Sequence, residues 1–179
     1  MGIGCGAGWV TTLRGEQAVL FGLEMAAECG WTETDSIRGL IAHEIGHAVH
    51  GNLRDDFELS GGTGPFWRLY IEGFADTCEK ELTRSGSFHE GAGLNPPDWQ
   101  KWCEEHRGTL AGRFLEEASA GDDCREFFGS WYDIQGYRQC GYWLGHQVLQ
   151  QLTARNSLRD LALVEDVNMV VTDVLRSFL

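Results

Sequence analysis

His43-Glu44-Ile45-Gly46-His47 combines two imidazoles and a carboxylate at a spacing that fits both a metal and a reaction. Residues four apart on a helix leave one face, so the two rings can converge on a single ion. Zinc accepts neutral imidazole, and a glutamate beside the first histidine can act as general base toward a metal-activated water. Two core histidines satisfied by backbone carbonyls would give the same letters. A stripe of two histidines plus a carboxylate is nonetheless awkward to bury without a metal.

A third ligand is available downstream. Phe66 to Thr77 reads as a helix opening after Gly64-Pro65, and it places Glu72 and Asp76 four apart. A carboxylate can complete a His₂Glu catalytic site, leaving the fourth position for water. The next acid along can accept the far N–H of a ligand histidine and fix its tautomer. Glu72 is therefore assigned to the metal and Asp76 to the histidine behind it. A solvated acidic face running on through Glu79 and Glu81 does not account for apolar Phe74 and Ala75 beside Asp76. An aspartate-ligand scheme through Asp76 stays open, since rotation of the same helix would present it. The metzincin pattern needs a glycine three residues after the second histidine and a histidine three further on, where this chain has His50 and Leu53. His50 lies nearly two turns from His43 and reads as a helix-end histidine favourable to the dipole.

These residues, HEIGH followed by YIEGFAD, resemble the gluzincin metallopeptidases. In that group the third ligand is a glutamate of a second helix, and an acid one turn later orients a ligand histidine. QAVLFGLE, IRGLIAHEIGHAVH, IEGFAD, FFGSW and GYRQCGYWLGHQVLQQL further resemble a bacterial set of zinc-dependent proteases catalogued as a domain of unknown function, over roughly residues 15–152. The chain differs in starting almost at the first strand, so an upstream segment is expected to be missing.

Gly136 to Gln147 is the third region of chemical interest. Hydrolysis of a peptide bond creates a tetrahedral oxyanion, to which a positioned phenol or imidazole can donate a hydrogen bond. Tyr142 and His146 are four apart, so both can face one cleft. The resemblance implies Tyr142 as that donor, with Tyr137 and His146 following. A glycine-notched packing helix with aromatics in the core is the equal alternative.

The elements that would position these groups can be read coarsely. A helix over about residues 35–50 has several N-cap candidates in 31–36 and Gly51 as its C′ residue. At 100° per residue Ile37, Ile41, Ile45, Ala48 and Val49 oppose His43 and His47, so the apolar side should anchor in the core and the histidines face a cleft. Strand-like composition at Gly8 to Thr12 and Ala18 to Leu23, turning at Arg14-Gly15, predicts a small antiparallel sheet. The resemblance implies that a strand along the cleft pairs with extended substrate. Residues 59–65 read as a connector rather than a lid. A second loop, 84–97, carries His89, read with His106 as a surface histidine. Helices are expected at 99–106 and 110–118, with one or two more in 157–178. The expected fold is a mostly helical α+β, zincin-like domain spanning 1–179, with its small sheet beside the HEIGH helix.

Length and 42% hydrophobic content fit one domain with a sizeable core. A net charge of −13 argues against nucleic acid and anionic membranes as partners and favours neutral or cationic peptides. Apolar runs are too short to cross a bilayer, and residues 1–6 lack signal-peptide and myristoylation features, so a cytoplasmic location is expected. Six cysteines without a C-x-x-C pair point to reduced thiols, with one or two disulfides possible on export. The expected activity is Zn²⁺-dependent hydrolysis of a peptide or protein substrate, with Glu44 as base. A zinc-stabilised sensor module and a non-proteolytic zinc amidohydrolase are the alternatives.

Overall fold

The structure is a computed structural model that describes residues 6–54 and 64–179. The chain enters through a hairpin of β1 (Gly8–Leu13) and β2 (Glu16–Phe21), antiparallel, with Leu13 opposite Glu16. Arg14 and Gly15 both take positive φ, 55° and 85°, as a two-residue turn that matches strand twist requires. A short helix α1 (Leu23–Glu28) follows, beginning at Leu23, where the second strand was expected to end. Then come α2 (Thr34–Leu53) and α3 (Pro65–Thr83). Most of the 59–65 connector lies outside the described residues. A long loop leads to α4 (Trp99–Glu105) and α5 (Arg107–Ser119). A 3₁₀ turn at Arg125–Phe127 precedes α6 (Cys140–Thr153), α7 (Leu158–Ala162) and α8 (Val167–Arg176). The fold is thus mostly helical α+β, with its two-stranded sheet against α2.

Helix α3 is the axis of the core. Pro65 at its first turn supplies a preset φ, and Leu69, Tyr70, Ile71, Phe74 and Ala75 are fully enclosed. Helix α6 crosses it where Gly73 meets Gly145. A Cβ on Gly73 would lie 2.8 Å from the Gly145 Cα, so the backbones themselves touch. Helices α5 and α8 close the far side with Leu110, Phe114, Val171 and Leu175.

Helix α2 packs the other way round from its amphipathic reading. Ile37, Ile41, Ile45 and Val49 are each about 40% exposed, whereas His43, Glu44, His47 and His50 are buried. The reason is steric. Gly39, Ala42 and Gly46 share the histidine side, and they let α3 come close. A Cβ on Gly46 would sit 2.8 Å from the Ala75 Cα. The helix also runs through Gly51 to Leu53 instead of ending there. His50 is no solvated helix-end residue. It is fully buried and its ring stacks on Phe74 at 4.3 Å.

Among the described residues no helix is long and apolar enough to cross a membrane. Among the described residues Cys29, Cys78, Cys103, Cys124 and Cys140 are buried and unbridged; Cys5 lies outside the described residues.

Candidate metal centre

The close approach of α2 and α3 at Gly46 and Ala75 brings short side chains from both helices to one point. His43 Nε2 and His47 Nε2 are 3.1 Å apart, and Glu72 Oε2 is 3.2 Å from each. Four ligands about 2.0 Å from a tetrahedral zinc stand roughly 3.3 Å from one another, close to these three edges. The proton arrangement points the same way. His43 Nδ1 lies 2.7 Å from Asp76 Oδ1 and is the donor to it, so a neutral ring keeps its lone pair on Nε2. That lone pair faces a second imidazole nitrogen and a carboxylate oxygen, a convergence of donor atoms that a cation would satisfy. The residues present fit a divalent metal, which His43, His47 and Glu72 could hold.

Electrostatics support the assignment of roles. Burial would raise the Glu72 carboxyl, but His47 and His43 beside it more than offset this and hold it well below the usual range. Burial works against a charged His43, and the hydrogen bonds to Asp76 and Glu72 overcome it, so its pKa is raised. Asp76 is pushed up to about 7 by burial, with His43 opposing. Of the two acids, Glu72 meets both histidine Nε2 atoms and Asp76 meets Nδ1 behind, which is the geometry expected for ligand and orienting group.

Glu44 lines the same cleft without joining the ligand set. It is 5% exposed, its Oε2 has no hydrogen-bond partner, and burial raises its carboxyl despite His43 and His47 nearby. Gly8 of β1 sits directly on it: a Cβ there would lie 2.5 Å from Glu44 Oε1. The cleft has a volume of about 330 Å³ and is bounded by Gly8, Trp9 and Val10 of β1, by the metal-ligand face, and by Arg68 and Tyr142.

The three aromatic and imidazole candidates downstream separate. Tyr142 lines the cleft, its ring 5.9 Å from that of His43, and burial followed by Glu72 raises its phenol. His146 does not share that cleft. Its Nδ1 is 3.3 Å from Thr77 Oγ1, its ring abuts Phe88, and it borders a separate depression with Lys80. Burial and then Lys80 depress it to about 4. Tyr137 is also remote, stacked on Trp102 at 4.2 Å with its hydroxyl on Asp98.

Sequence reasoning missed a second ring of groups behind the ligands. His89 is buried rather than at the surface. Its backbone N–H and Nδ1 both donate to Glu79, at 3.2 and 2.7 Å, and its Nε2 lies 3.2 Å from Glu90. Glu90 is 1% exposed, and neither oxygen has a well-aligned hydrogen-bond partner. Burial, reinforced by Asp76 and Glu79, pushes its carboxyl well up. His43, Glu79, His89 and Glu90 thus form a second cluster of possible ligands that shares His43 with the first. The spacing of Glu72, Asp76 and Glu79 along one helix face was the available signal for Glu79. His89 and Glu90 sit on a loop without periodicity and gave none. His106, also expected at the surface, is half-buried and stacked on Trp102 at 4.3 Å.

No known protein family, curated protein or solved structure matches the chain.

Proposed function

We propose that the protein is a zinc-dependent peptidase. The observation that carries this reading is the convergence of His43, His47 and Glu72 at one point, with Glu44 beside it in the cleft but outside the ligand set. A zinc ion held there supplies Lewis acidity and brings the pKa of water toward about 7. The remaining work falls to the chain. Asp76 keeps His43 in the tautomer that offers Nε2. Glu44, with one oxygen free of partners, takes the proton from attacking water and returns it to the leaving amine. Tyr142 donates to the oxyanion. Among the described residues strand β1 is paired only with β2, so its other edge is available at the cleft to align an extended backbone by strand addition.

Three ligands favour catalysis over a closed structural site, which takes four protein ligands. The resemblance noted in the sequence points the same way. Glu44→Gln tests the reading. It should retain zinc in full and lose activity by about a factor of 10³ on a peptide library. A variant that binds zinc and cleaves as well as wild type would exclude this mechanism.

A further inference from the structure

The cleft is walled by carboxylates, with Glu44, Glu72 and Glu90 all along it, yet it contains one arginine and no lysine among its described lining residues. Arg68 lies one turn before Glu72 on α3, so the two side chains leave the same helix face. It is half-buried, and its guanidinium lies over the ring of Phe128, 4.5 Å from the centroid. Among the described residues, no carboxylate or carbonyl accepts a hydrogen bond from it. Other arginines of this protein are engaged: Arg113 with Glu117, Arg125 with Asp123, and Arg54 with the carbonyl of Val164. Among the described residues other arginines without an ion pair, such as Arg14, Arg84 and Arg176, are exposed to solvent; Arg68 differs in being half-buried at the wall of an acidic cleft.

Stacking on an aromatic face fixes the plane of a guanidinium while leaving its N–H edge free to fork onto a carboxylate. Arg68 also sits near Tyr142: burial and Glu72 raise that phenol, and Arg68 opposes them. A carboxylate received here would lie close to the proposed oxyanion donor and one helical turn from the ligand Glu72.

We infer that Arg68 anchors a carboxylate of the substrate, so that the cleft selects peptides bearing an acidic group close to the bond to be cleaved. This deepens the peptidase reading and rests on it for the word substrate, but the anion site itself does not. The shared chemistry is a carboxylate, from either an Asp or Glu side chain or a peptide C-terminus.

The experiment measures binding to the zinc-loaded full chain by fluorescence anisotropy, using pooled nonapeptides in matched pairs. One arm compares free with amidated C-termini; another compares Glu with Gln and Asp with Asn. The carboxylate form of at least one pair should bind roughly 10- to 100-fold more tightly, the value of a charge-assisted hydrogen bond, and that arm identifies the source. Arg68→Met should erase the preference while leaving carboxamide binding unchanged. Arg68→Lys, which keeps the charge but not the fork, should fall between. Absence of a preference in wild type overturns the inference. So does its persistence in Arg68→Met, which would place the carboxylate on the zinc. Should Arg68→Met fail to fold, a preference unaffected by both Arg68→Lys and high salt overturns it equally. Cleavage of the same peptides is scored separately. Preferential binding without cleavage would sink the peptidase reading alone, and cleavage without preference would sink the anchor alone.

Discussion

A neutral imidazole has one lone pair, and the hydrogen bond at its far nitrogen decides which atom carries it. At His43 that decision belongs to Asp76, 2.7 Å away and fully buried. Asp76→Asn should keep the shape but weaken the acceptor, lowering zinc affinity about 10- to 100-fold in a chelator competition. Glu72→Ala should cost more. If the order is reversed, Asp76 is the ligand and the assignment of the two acids is wrong. A second residue-scale test concerns His89, which holds Glu79 through two hydrogen bonds. His89→Ala would leave only the backbone N–H on this buried carboxylate and should destabilise the fold by about 1–3 kcal/mol, read as a shift in denaturant midpoint. A near-zero shift would show that Glu79 is held by something else.

At the scale of elements, the local chemistry was more legible than its direction. His43, Glu44, His47, Glu72 and Asp76 could be found from spacing alone, because a helix fixes which residues share a face. The hairpin followed from Arg14-Gly15 and its flanking strands. The orientation of α2 did not, because apolar content was taken as the buried side. What decides burial here is close approach: Gly39, Ala42 and Gly46 form a groove for α3, and the half-exposed isoleucines lie outside it. His146 was misplaced for a related reason, since a spacing of four puts two residues on one side of a helix but does not make them share a cleft. The Gly46–Ala75 contact sets the distance across which Glu72 reaches two histidines. Gly46→Val should push the helices apart by forcing branched carbons against the Ala75 backbone, costing about 1–3 kcal/mol and weakening zinc binding together. Gly15→Ala, at an exposed turn with open space around it, should leave zinc binding alone. Equal effects on zinc binding would mean that helix separation does not tune the centre.

The whole molecule encloses more protonatable charge than its core would tolerate without either protons or a metal. Asp76 is raised to about 7 by burial, Glu90 is raised by burial and by its acidic neighbours, and His43 is raised because Asp76 and Glu72 outweigh its burial. Each binds its proton more tightly when folded than when unfolded. Stability from these groups is therefore present at lower pH and is lost as pH rises through their folded values. His89 and His146 have the opposite sign: both are depressed in the fold, so they add stability as pH rises through the ordinary histidine value of 6.5, an effect that fades within about a unit above it. Glu72 and Glu79, held low, are ionised in both states there. Between pH 6.5 and about 8 the metal-free protein should lose stability, so its Tm falls with rising pH. Zinc bound as proposed should reverse the trend by taking the place of the proton on His43, its binding strengthening as protons leave. Calorimetric scans with chelator and with excess zinc across this window should diverge as pH increases. Parallel curves would mean that zinc binding displaces no proton at the centre, contrary to the charge arrangement between α2 and α3.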